Sequence, residues 1–94
     1  MITAIVLVET SADSVPEAAE RIADLDGVRE VYSVTGDVDL VAIVRVAGDQ
    51  DLPGVVPNGI AKVPGVEKTE TLIAFEVYSK HDLERLFSIG FEEG

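Results

Sequence analysis

Three features of the sequence predict an α+β chain built from two β-α-β units. Residues 22–31 (IADLDGVREV) are echoed by residues 60–69 (IAKVPGVEKT) at an offset of 38 positions. Each copy reads as a helix end, a glycine stop and a strand start. An apolar strand candidate precedes and follows each copy. Two such units joined by a tight turn describe the ferredoxin-like βαββαβ sandwich, a four-stranded antiparallel sheet with two helices on one face. Two copies at this spacing are too few for a solenoid.

The elements follow in order. The first strand covers residues 3–9, around the unbroken apolar run Ala4-Ile5-Val6-Leu7-Val8. Ser14 and Glu17 then carry the spacing of a capping box, and Pro16 suits a first helical turn, where its missing N–H costs nothing. Val15, Ala18, Ala19, Ile22 and Leu25 share one helix face. Glu17, Glu20, Arg21 and Asp24 occupy the other, which reads as a solvated face and not as a metal site. The second strand is placed at 28–35 and the third at 39–46, around Leu40-Val41-Ala42-Ile43-Val44. The second helix is compromised: Asp49 or Asp51 can cap it, but Pro53, Gly54, Pro57 and Gly59 fall where it should run. A short or kinked helix ending near Lys62 is expected. The last strand, at the sheet edge, is placed at 69–78. An amphipathic tail at about 79–90, capped by Ser79, presents Leu83, Leu86 and Phe87.

A sheet with helices on one face and water on the other alternates apolar and polar residues. These strands do not alternate, so both faces are expected to be covered. Two helices cover one; a second copy of the same sheet, related by a two-fold axis, is the simplest cover for the other. The sequence thus predicts a homodimer, or a larger homo-oligomer, joined through the helix-free face.

The length of 94 residues fits one domain, 1–94, with a core of modest size. Hydrophobic residues make up 47% and charged residues 27%, a globular and not a disordered composition. Seven basic against eighteen acidic residues give a net charge of −11. That balance repels phosphates, which argues against direct nucleic-acid binding and against anionic membrane surfaces. The acidity fits plain solubility or a halophilic setting with few lysines, and the chain has only Lys62, Lys68 and Lys80. No apolar run reaches membrane-spanning length and no basic signal-peptide start is present, so a cytoplasmic location is expected. Without cysteine there is no thiolate nucleophile or cysteine-type zinc site. His81 is the only histidine and sits beside Asp82; a lone histidine without a second ligand or nucleophile reads as a surface residue.

The candidate site lies in the middle of the repeat, at Thr35-Gly36-Asp37-Val38-Asp39-Leu40. One reading is an ordinary hairpin turn whose Asp side chains bond their own backbone. The other is a cradle for a small zwitterion: Gly36 lets a ligand approach main-chain N–H groups that take a carboxylate, and an Asp takes an ammonium. Hydroxyls at the start of the last strand, from Thr69 and Thr71, would add orientation.

The run from Val28 to Leu40 resembles the Gly-x-aromatic-Asp-Leu signature of the Lrp/AsnC transcriptional regulators. The run from Val63 to Ile73 is similar to the segment of their effector domain, called RAM, that enters its last strand. The resemblance implies a ferredoxin-like fold, dimerisation through the sheets, octamer-like rings, and binding of amino acids or related metabolites between dimers. It implies a cofactor-free binding module and not an enzyme. By it, Gly36, Asp37, Asp39 and Leu40 become pocket-loop candidates and Thr69 and Thr71 strand-side candidates. Val38 departs from the family's aromatic, which bears on the pocket wall, and the Pro and Gly residues of the second helix bear on ring assembly. Family members carry a helix-turn-helix domain before this one; here Met1 leads straight into the first strand, so a stand-alone member without direct operator contact is expected. Full-length regulators of the family are the implied protein partners. Two other classes stay open on the residues alone: a small dimeric enzyme with an apolar cavity, and a ligand-free assembly partner.

Overall fold

The structure is a computed structural model that describes residues 1–80. The chain forms β1 (Ile2–Thr10), α1 (Val15–Ala23), β2 (Val28–Ser33), β3 (Leu40–Val46), α2 (Leu52–Val55) and β4 (Val66–Ala74). Single 3-10 turns at Asp49–Asp51 and Ile60–Lys62 flank α2. The sheet order is β2-β3-β1-β4 with every neighbouring pair antiparallel, and the helical segments lie on one face. This is the ferredoxin-like split fold the repeat predicts. The predicted tail from His81 onward lies outside the described residues.

The repeat survives in the backbone. Gly27 and Gly65, its two glycine stops, both adopt φ of 93°, a conformation that a Cβ disfavours. Each turns the chain from a helical segment into a strand. Ile22 and Ile60, also repeat equivalents, are both fully buried. They anchor the helical layer to the sheet residues Ala4, Val6, Val8, Leu40, Ala42 and Val44, all of them fully buried. The remainder of the predicted face of α1 behaves as its spacing requires. Ala18 is buried, while Val15, Ala19 and Leu25 pack at the margin of the core. Glu17, Glu20, Arg21 and Asp24 lie outside that core, on the opposite side of the helix.

Three local expectations need correction. Ser14 does not cap α1 with its side chain; its hydroxyl is engaged by the Ser11 hydroxyl and the Asp13 carboxylate. β4 starts at Val66, before Thr69, because Gly65 redirects the chain directly onto the edge of β1. It stops at Ala74, short of residue 78, because its partner β1 begins at Ile2 and Thr3 is already paired with Ala74. The second helix is broken as expected. Pro53 and Gly54 both fall within its single turn, and a 3-10 turn carries the chain to Lys62.

The apolar strands do alternate in environment. Ala4, Val6 and Val8 face the helices, whereas Ile5 and Leu7 face away and are only half-buried. On β3, Val41 and Ile43 join them. Cross-strand register sets Ile43, Ile5 and Leu72 in one row and Val41, Leu7 and Glu70 in the next. Around this apolar centre stand Tyr32, Glu30, Arg45, Glu9 and Lys68. The open face therefore has an apolar middle and a polar rim, the anatomy of a protein interface.

Candidate functional site

The six-residue connection 34–39 between β2 and β3 is pinned at its base and open at its tip. Val34 N–H donates to the Asp39 carbonyl at 3.1 Å, and Asp39 N–H donates to the Val8 carbonyl at 2.9 Å. A third bond crosses from β1: Thr10 N–H donates to Asp39 Oδ2 at 2.8 Å. Thr10 is itself buried, at a register shift between Glu9 and Thr10. Its Oγ1 atom has no hydrogen-bond partner in the structure. The Asp39 carboxylate thus fastens the turn to the end of β1 as well as contributing charge.

At the tip, Gly36 and Asp37 are exposed. Gly36 takes φ of 112°, and a Cβ there would meet nothing within 4 Å. The N–H groups of residues 35–38 donate to no acceptor among the described residues. Unpartnered main-chain donors beside a glycine form the kind of concavity that receives an anion. Leu40 holds the base from below: it is fully buried in the core and offers a ligand only its backbone.

Thr69 and Thr71 sit across the sheet. Thr69 is in register with Val8, which is in register with Leu40, so the three form one row at the end of the sheet where the turn lies. Two strand spacings, roughly 10 Å, separate Leu40 from Thr69. Thr71 pairs with Val6, one step along on the same helical face. Thr69 is half-buried and Thr71 exposed. The structure thus places the six predicted residues in two groups on opposite sides of β1, sharing one end of the sheet. Sequence reasoning missed Thr10. The period of two puts Thr10 on the face of Ala4, Val6 and Val8, but the unbroken apolar run 4–8 does not say in the sequence which face is the buried one.

Tyr32 on the open face donates its phenol to the Glu30 carboxylate. That bond, with lesser effects of burial and of the carboxylate's charge, raises the Tyr32 pKa above its ordinary value. Among the described residues no group of three or more His, Cys, Asp or Glu side chains gathers closely enough to hold a metal ion. No helix among them is long and apolar enough to cross a membrane.

Comparison with known proteins shows the family. Residues 3–83 match the Lrp/AsnC ligand binding domain. The chain belongs to that family. The transcriptional regulator FL11 of Pyrococcus horikoshii is 32% identical over 77 residues, which cover 82% of this chain and 50% of the regulator. The chain thus spans about half the length of the curated regulators it matches. Among solved structures, TTHA0845 from Thermus thermophilus superimposes with a TM-score of 0.80 at 50% identity, covering 85% of this chain and 100% of that one. The feast or famine regulatory protein Rv3291c of M. tuberculosis, complexed with L-methionine, gives 0.70 at 28% identity, covering 85% of this chain and 54% of that one. The fold and the family expected from the Gly36 turn and the repeat are therefore both borne out.

Proposed function

We propose that this Lrp/AsnC ligand binding domain is a non-catalytic amino-acid sensor and assembly module. The observation that carries the reading is the Gly36 turn, whose free N–H groups stand in a chain of this family beside the Asp37 and Asp39 carboxylates. A free amino acid presents the complementary pair of charges, and Rv3291c, a relative, was crystallised with L-methionine. Gly36 and Asp37 contact the ligand, Asp39 and Leu40 hold the turn in shape, and Thr69 and Thr71 of a neighbouring copy face the turn across an interface. The separation of the two groups within one copy favours a site completed between copies.

The open sheet face joins two copies into a homodimer, from which larger rings are built. Its apolar centre of Ile5, Leu7, Val41, Ile43 and Leu72 is the support for this step. The module works in the cytoplasm, without contacting DNA itself, and full-length regulators of the family are its protein partners. Mass by light scattering and thermal melting, at low and high salt with a panel of amino acids, test the reading. An even-numbered assembly that one amino acid stabilises or resizes is expected, with the response lost in Gly36→Trp. A monomer under all conditions, or an assembly indifferent to every amino acid at millimolar concentration, refutes it.

A further inference from the structure

Beyond Ala74 the chain continues without a partner strand, since Thr3 is the last residue of β1 paired there. Phe75, Val77 and Tyr78 are 96%, 71% and 80% exposed. Three large apolar side chains in four residues are a concentration that water does not favour. Phe75, Glu76 and Val77 border a groove of about 660 Å³ on the open sheet face, floored by Ile5, Ile43 and Arg45 and walled on the far side by Tyr32. The groove does not cover its own arm: Phe75 lines its mouth and is still almost wholly exposed. The three charged side chains that line the groove, Arg45 in its floor, Glu30 in its wall and Glu76 in the arm, make no ion pair among the described residues, and Arg45 is the one basic side chain of the three.

We propose that residues 75–78 form an exchange arm that crosses to a second copy of this chain and seats in that copy's groove. Glu76 of each copy meets Arg45 of the other, and Phe75 and Val77 cover the apolar floor beneath them. A two-fold axis makes the exchange reciprocal, so the contact is made twice per dimer. The charge pair fixes the register in which the apolar centres of the two faces meet. This inference rests on the dimer proposed above and adds the segment that completes it.

The test uses the full chain and three charge reversals. Arg45→Glu places two acids together in the crossed pairing, and Glu76→Arg places two bases together, so each variant alone weakens the dimer, by roughly tenfold to a hundredfold in dissociation constant. Mixed in equal amounts, the two form a heterodimer in which both crossed contacts set an acid against a base, one in the wild-type sense and one with the charges exchanged, and a heterodimer tighter than either homodimer forms in sedimentation equilibrium and native mass spectrometry. Glu67→Arg carries the same change in charge at an exposed β4 position outside the groove. Mixed with Arg45→Glu, it restores nothing if local pairing is the cause. Arg45→Glu and Glu76→Arg combined in one chain rebuild both crossed pairs with the charges exchanged, and that double variant regains the wild-type dimer.

A double variant no tighter than its two components overturns the exchange, as does one rescued equally when Glu67→Arg replaces Glu76→Arg, which assigns the effect to net charge. Phe75→Asp gives a second reading, with loss of the dimer expected and an unchanged dimer counting against the arm. A wild-type chain that is monomeric at every concentration removes the dimer itself, an outcome distinct from a dimer insensitive to all these changes.

Discussion

Replacing Asp39 by alanine tests whether this residue holds the candidate turn in shape. The carboxylate accepts the Thr10 N–H at 2.8 Å, and Thr10 is only 6% exposed. Alanine removes the acceptor and leaves a buried donor, at a cost of about 1–3 kcal/mol. For a chain of this size each kcal/mol lowers Tm by about 4–8 °C, so a fall of roughly 4–24 °C is expected. Asp37, exposed at the tip with no bond of its own, should change stability by less than about 0.5 kcal/mol when replaced by alanine. Asp39→Asn keeps an oxygen that can accept the same N–H, so it should lose less than Asp39→Ala. Urea unfolding at one fixed protein concentration is the appropriate assay, because assembly makes apparent stability depend on concentration. If Asp39→Ala and Asp37→Ala melt within about 0.5 kcal/mol of each other, the clasp contributes nothing and the reasoning fails.

Two further outcomes follow from the same geometry. A Cβ at Gly65 would lie 2.5 Å from Ser14 Cβ in a backbone already at positive φ, whereas one at Gly36 would meet nothing within 4 Å. Gly36→Ala should therefore cost only backbone strain, about 1–3 kcal/mol, and Gly65→Ala clearly more, as read by urea midpoints at equal concentration. Glu30→Gln removes the carboxylate that raises the Tyr32 pKa above 10.0. Phenolate absorbance in a Tyr78→Phe background should show Tyr32 ionising at lower pH in that variant. The wild-type bond favours the neutral phenol, so its contribution to stability is complete below the unfolded pKa. It is lost as pH rises through the folded value, and Glu30→Gln should flatten that alkaline decline.

Much of the fold was legible because the repeat writes it twice. Ile22 and Ile60, and Gly27 and Gly65, occupy equivalent positions and do equivalent work. The 3.6-residue spacing of Val15, Ala18, Ala19 and Ile22 identified the buried face of α1 in full. Strand ends were less legible, since they depend on the partner: β4 ends where β1 runs out, a fact of register that residues 75–78, themselves largely apolar, do not announce. The unbroken run from Ala4 to Val8 concealed which residues face the helices, because a strand whose two faces are both apolar carries no alternation to read. At the candidate site the turn and its glycine were visible, but the Asp39–Thr10 bond was not. It joins residues 29 positions apart through a local shift in register. Nor does any spacing rule separate an Asp that binds a ligand from one that binds its own backbone.

The two halves of the repeat have diverged where it matters for the site. In the first unit α1 runs nine residues from Val15 and packs against β2 and β3. In the second, Pro53 and Gly54 reduce the helix to a single turn of four residues. Ile60 still plugs the core, but the shortened layer leaves β4 thinly covered: Thr71 and Ile73 stay exposed although both lie on the helical face, in register with the buried Val6 and Ala4. A full helix at 49–62 would cover that edge. The prolines and glycines that weaken the second helix are thus what keeps the threonine side of the proposed site accessible. Rebuilding the helix with Gly54→Ala and Pro57→Ala would restore backbone hydrogen bonding and gain stability if only packing mattered. If access to Thr69 and Thr71 is what the break provides, the same changes raise Tm while weakening the response to the amino acid. Stabilisation with an unchanged response would show that the break is tolerated and not used.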